Sequence, residues 1–146
     1  MRIVTVAALS LLAGCSSLSS ASPSPTDEIK TTVELYFSGH ATGDGGYWRR
    51  AFHPVAKLYS VKDGALAEKT LDQFVAGAPG APAPDEAKRT RRIAMVDVAG
   101  DAAMVKVELD YPEVRFVDYL SLLRIDGRWV IVNKIFHREA GVPSTP

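Results

Sequence analysis

The stretch FVDYLSLLRIDGRWVIVNKIFHR, residues 116–138, decides the fold. Two apolar, mostly alternating runs flank Asp126-Gly127, a dipeptide suited to a two-residue turn because both central positions of that turn take positive φ. Phe116–Ile125 and Arg128–Arg138 therefore read as an antiparallel hairpin. The period-two pattern extends towards the N-terminus, where Arg91–Ala99 turns at Gly100-Asp101 into Ala102–Tyr111. Pro112–Arg115 links that pair to the closing hairpin, so the second half of the chain is a four-strand meander.

The pattern before Arg89 has a different period. Ile29, Val33, Tyr36, Phe37 and His40 lie on one face of a helix, with Thr26 or Asp27 as its cap and Gly43-Asp44-Gly45-Gly46 as its stop. A second short helix carries Trp48 and Phe52 and breaks at His53-Pro54. Lys57–Val61 and Ala65–Lys69 read as short strands around Lys62-Asp63-Gly64. Thr70 with Gln73 three residues on is a capping box, which opens a third helix over Leu71–Ala76. Helices first and a long meander last predict an α+β fold, with three N-terminal helices packed on one face of a curved antiparallel sheet.

Counting outward from Asp126-Gly127 pairs Leu122 with Ile131, Leu120 with Asn133, Asp118 with Ile135 and Phe116 with His137, all on one face. From Gly100-Asp101, Val98 pairs with Ala103, Val96 with Val105 and Ala94 with Val107. The face towards the helices is then apolar except for Arg92, Asp118, Asn133 and His137. Asp118 and His137 fall at diagonal positions ~7–8 Å apart. A carboxylate beside an imidazole suits acid/base work, so this pair is the candidate catalytic group, with a structural pair at the sheet rim as the alternative. Tyr36, His40, Trp48, Arg92, Leu120, Trp129 and Asn133 form the candidate ligand-binding lining, Trp129 equally suiting a core plug. On the opposite face Val117, Tyr119, Leu123, Ile125, Val130, Val132 and Phe136 make an apolar patch, which predicts a homodimer through the outer face of the closing hairpin.

Seventeen basic and seventeen acidic residues balance, which argues against nucleic acid as a partner. The one basic cluster, Lys88–Arg92, has acidic counterparts at Glu108 and Asp110. Histidines 40, 53 and 137 lack metal-ligand spacing, and neither a phosphate loop nor a nucleophile elbow is present, so neither a metal nor a cofactor is expected. At the N-terminus Arg2, the apolar run Ile3–Leu12 and Ala13-Gly14-Cys15 resemble a bacterial lipoprotein signal. That resemblance implies a signal peptide over 1–14, a lipidated Cys15 opening a Ser/Pro tether over 15–26, and a bilayer as partner. The folded domain is then expected over 27–138 and a disordered tail over 139–146. The address is the bacterial cell envelope, and in a cell with two membranes Ser16 favours the periplasmic leaflet of the outer one.

Ala51-Phe52-His53-Pro54 with Ala56-Lys57-Leu58, then Asp63-Gly64, Val98-Ala99-Gly100-Asp101-Ala102-Ala103, and above all Asp118–Leu123 running to Asp126–Lys134, carry a further likeness. Together they resemble a nuclear transport factor two-like domain of the group labelled putative lumazine-binding. The resemblance implies a cystatin-like α+β cone, with helices closing the concave side of a bent sheet around a pocket, often as a dimer. It implies no single chemistry. The expected function is an envelope-anchored lipoprotein that binds a small apolar or cyclic ligand, or a partner, without turnover. The alternatives are an acid/base isomerase or dehydratase of a small cyclic or carbonyl compound using Asp118 and His137, and an assembly adaptor acting through the outer sheet face.

Overall fold

The computed structural model describes residues 23–141. Cys15, the leader, all but the last residues of the tether, and residues 142–146 lie outside the described residues. The elements run α1 (Pro25–Thr42), α2 (Gly45–Ala51), β1 (Phe52–Lys62), β2 (Ala65–Thr70), α3 (Leu71–Ala76), a single 3₁₀ turn (Glu86–Lys88), β3 (Thr90–Ala99), β4 (Ala102–Asp110), β5 (Val114–Ile125) and β6 (Arg128–Ala140). The six strands form one sheet in the order β2-β1-β6-β5-β4-β3. Every pairing is antiparallel except β1 with β6. The three helices pack on its concave side, giving the expected α+β cone.

Local chemistry accounts for the helix ends. Ser24, not Thr26 or Asp27, caps α1: its side chain accepts the Asp27 N–H, and Pro25 occupies the first helical position, where a missing N–H costs nothing. Gly43 ends the helix at φ 72° and returns its N–H to the Gly39 carbonyl. The capping box of α3 forms as expected, Thr70 accepting the Gln73 N–H and Gln73 the Thr70 N–H. The second helix stops one residue earlier than expected, at Ala51, because Phe52 already opens β1. Pro54 lacks an N–H, and the β1–β6 ladder skips from Phe52↔Ile131 to Lys57↔Asn133 across it.

Both expected turns are present, with Asp126 at φ 49° and Gly127 at 74°, and Gly100 at 59°. The register between them departs from the simple count at two β-bulges. Leu122 still pairs with Ile131, but Ser121 pairs with Asn133, so Val132 is an extra residue on β6. A second shift between Ile93 and Met95 puts Ile93, not Ala94, opposite Val107. Beyond a bulge every side chain changes face, because the side-chain period is two. Lys134 and Phe136 therefore turn towards the helices, while Asn133, Ile135 and His137 turn outward. Nor does a tail begin at residue 139: β6 continues to Ala140, paired with Val114, and the Gly141 N–H donates to the Glu113 carbonyl.

The core lies between α1, α2 and the concave face of β4, β5 and β6. Ile29, Val33 and Tyr36 from α1 meet Val105, Val107, Leu109, Leu120, Leu122 and Ile131 from the strands, all fully or almost fully buried. Trp48 of α2 lies flat on α1 at Gly39 and donates its indole N–H to the Tyr36 carbonyl at 3.1 Å. A Cβ on residue 39 would overlap that indole ring. Gly39→Ala should therefore destabilise the fold by ~1–3 kcal/mol through overpacking, although alanine favours a helix interior by about 1 kcal/mol. Urea denaturation checks this, and an unchanged or raised midpoint would contradict the packing.

Candidate functional site

Three polar side chains meet in the apolar interior. The Tyr36 hydroxyl, from the middle of α1, donates to Oδ2 of Asp118 on β5. The Lys134 Nζ, brought inward on β6 by the Val132 bulge, donates to the Tyr36 Oη at 2.7 Å and to the same Asp118 oxygen at 3.0 Å. Tyr36 and Asp118 have no exposed surface, and Lys134 has 4 %. Aromatic faces surround the ammonium, with Phe136 4.6 Å, Tyr36 5.1 Å and Phe74 5.5 Å from Nζ to ring centre.

His40 lies one helical turn along α1, its ring perpendicular to that of Tyr36 at 4.7 Å and 5.0 Å from Trp48. Trp48 stacks on Phe74 of α3 at 4.0 Å. Two buried polar atoms here have no hydrogen-bond partner among the described residues, Oδ1 of Asp118 and Nε2 of His40; the Trp129 indole nitrogen is a third, beneath the N-terminal half of α1. Leaving such atoms unpaired costs free energy, so each is a position where a ligand or a water gains by binding.

Burial sets the proton affinities. Desolvation pushes the Tyr36 hydroxyl well above its ordinary range, and the Asp118 charge adds to the shift, so Tyr36 stays protonated as a donor. Burial likewise lowers the Lys134 amine, opposed by attraction to Asp118. Desolvation, and then the positive charges of Lys134, Arg91 and Arg89, hold His40 well below the usual imidazole value. The site thus holds a neutral phenol and a neutral imidazole beside an amine whose charge burial opposes and Asp118 supports.

Asp118, Tyr36, His40, Trp48, Leu120 and Trp129 all lie on the concave side where the sequence placed them, although Trp129 packs beneath α1, accepting the Thr32 hydroxyl at its carbonyl. His137, Asn133 and Arg92 do not. His137 pairs with Val117 and faces outward, because the Val132 bulge reverses the faces of β6 beyond it while Asp118 keeps its inward place on β5; no Asp118/His137 pair exists. Asn133 turns out for the same reason. Arg92 pairs with Glu108 on the outer face and forms an ion pair with it there. Arg91 takes the inner position, held by Glu86 through two hydrogen bonds and by Tyr111. Lys134 is the residue the sequence reading missed, because strict alternation from Asp126-Gly127 sets it on the outer face, opposite to Asn133 and Ile135. The signal was the unbroken apolar run Trp129-Val130-Ile131-Val132, which no strictly alternating strand places on one face.

The outer face also differs from its expected composition. Phe136 has left it and Ile135, half exposed, has joined it. Tyr59, Val61, Leu66, Tyr119, Ile135 and His137 line an open groove of about 870 Å³ across β2, β1, β6 and β5. Val61 and Leu66, opposite each other across the first hairpin, are about three-quarters exposed.

The family described as Putative lumazine-binding matches residues 24–137. An NTF2-like protein of unknown function from Silicibacter pomeroyi is 30 % identical and superposes with a TM-score of 0.69 over 78 % of this chain and 95 % of its own. Another, from Shewanella baltica, is 26 % identical with a TM-score of 0.71 over 78 % and 93 %. Aldolase FrzH of a Cladobotryum species is 28 % identical over 113 residues, 76 % of this chain and 89 % of that protein.

The depressed basicity of His40 gives the interior a pH signature. The unfolded chain takes up a proton near pH 6.5, the ordinary imidazole value, and the folded chain does not until much lower pH. Stability contributed by neutral His40 is full above that value and is lost as pH falls through the interval below it. The unfolding free energy should drop towards acid with one more proton of slope in the parent than in His40→Phe. Urea titrations at several pH values check this, and equal slopes would contradict a buried neutral imidazole.

Proposed function

The chain belongs to the putative lumazine-binding family, and from that premise we propose that the interior of the cone is a small-molecule site with Tyr36, Asp118 and Lys134 as its polar floor. The observation that carries this reading is the unpaired Asp118 Oδ1, a buried carboxylate oxygen left without a donor beside two paired side chains. A ligand with an N–H or O–H group set in a flat or cyclic apolar frame would supply that donor. Its body would lie against Trp48, Phe74 and Phe52, whose rings make a connected aromatic wall.

A catalytic version of this reading is favoured by one finding, the similarity to an aldolase over most of both chains. The acid/base role first assigned to Asp118 with His137 passes in this version to Tyr36 and Lys134. Their N–H and O–H groups can hold the oxygen of a carbonyl as negative charge develops on it, which is the contribution an aldol or enolisation step needs most.

Native mass spectrometry of the purified full chain should show a retained small molecule, and Asp118→Asn should weaken its retention by about ten-fold or more, one charge-assisted hydrogen bond being worth ~1.5–3 kcal/mol. The same retention in parent and variant would reject the site. Asp118→Asn should also lower the melting temperature, since it leaves a buried ammonium without its counter-charge, at a cost of ~3–5 kcal/mol.

The address and assembly complete the proposal. Cys15 is the only cysteine of the chain and closes a lipoprotein-like leader, which supports anchoring in the bacterial envelope. The exposed apolar groove around Ile135 suits a second copy of the chain, sheet against sheet. Replacing Cys15 by Ser should move the protein from the membrane to the soluble fraction. The released chain should sediment as a dimer, and the same chain carrying Ile135→Asp as a monomer. Retention in the membrane would refute the anchor, and a monomeric parent would refute the dimer.

A further inference from the structure

Lys134 stands out because an ammonium needs neither this depth nor these neighbours to stabilise a fold. Its Nζ uses two donors on Tyr36 and Asp118, and aromatic carbon surrounds the remainder. The charged groups that act on it are Asp118 of β5 and Lys69 of β2, with neutral Tyr36 from α1 in contact. The lightest part of the wall is α3, a six-residue helix whose one buried residue is Leu71 and which carries Phe74 over the amine. Short elements with few buried contacts open most readily, so this side offers a ligand its route to Nζ.

We propose that Lys134 is an amine nucleophile that condenses with a carbonyl group of the ligand, forming an imine within the cone. The proposal rests on the reading of the interior as a small-molecule site and names the ligand class, an aldehyde or ketone. Oδ2 of Asp118, 3.0 Å from Nζ, takes one proton from the ammonium, and the freed Nζ pair forms a C–N bond to the carbonyl carbon. The carbonyl π electrons pass to oxygen, which takes the Tyr36 proton to give a carbinolamine; Asp118 returns its proton to Tyr36. Asp118 then carries a second N–H proton to the carbinolamine hydroxyl, which departs as water while the nitrogen pair completes the C=N bond, and the third proton stays on nitrogen. The balance is ammonium plus carbonyl to protonated imine plus one water, with no change in oxidation state. Burial favours the uncharged amine that this step requires.

Acetylacetone tests this directly, because it condenses with an uncharged amine to an enaminone with loss of one water and a new near-ultraviolet absorption. The full chain is treated with it at neutral pH, digested and mapped by mass spectrometry over time. Lys134 should label faster than the exposed Lys30 and Lys88 by about ten-fold for each unit by which its pKa lies lower. Lys134→Arg should abolish the fast phase of the absorption and leave the slow phase of the exposed lysines. Labelling of exposed lysines with Lys134 untouched would overturn the imine proposal on the parent protein alone. The small-molecule site is judged separately by ligand retention, so a protein that retains a ligand and leaves Lys134 unlabelled keeps the site and loses the imine.

Discussion

The contact between Tyr36, Asp118 and Lys134 is the constraint to which the rest of the structure answers. Each group belongs to a different element, α1, β5 and β6, and each would be costly to bury alone. Together they satisfy one another at a single carboxylate oxygen, and so tie the long helix to the two central strands of the sheet. The apolar residues around them, Val33, Val107, Leu120 and Phe52, exclude water and lower the local dielectric. That strengthens the contact and also makes every unpaired atom near it costly. The orphaned Asp118 oxygen is therefore a product of the same burial that holds the fold together.

The Val132 bulge is what allows this contact to exist. Without the extra residue, Lys134 would stand on the outer face and Ile135 opposite Asp118, leaving a buried carboxylate with only the tyrosine for company. One inserted residue exchanges two faces at once. It gives the interior a cation, and gives the outside the exposed isoleucine that borders the groove.

Much of the architecture could be read directly because it rests on local chemistry. Asp126-Gly127 and Gly100-Asp101 specify tight turns, Thr70 and Gln73 specify a helix start, and the spacing from Ile29 to His40 specifies a buried helical face; each appears in the structure. The polar interior was readable only in part. Tyr36, His40 and Asp118 were placed correctly because their positions follow from helix periodicity or from strand parity on an unbulged strand. Lys134 and His137 were exchanged because a bulge is a tertiary feature, set by how β6 must curve around the core, and alternation counted from a turn cannot sense it. Ser24 was passed over as a cap for a simpler reason, since it lies in a Ser/Pro-rich segment whose composition reads as linker.

The parallel pairing of β1 with β6 bears on the order in which the molecule is made. Phe52 lies beside Ile131 and Leu58 beside Lys134, so the first hairpin has no place in the sheet until the last strand exists. A ribosome therefore releases every other element of the sheet before it can be completed, and the closure of that long loop must precede any reward from the contact. The helices and the first hairpin wait as marginal fragments in the meantime, since an isolated two-stranded ribbon has little stability of its own. Late completion of this kind leaves the edge of β1 that faces β6 unpaired until β6 has been synthesised.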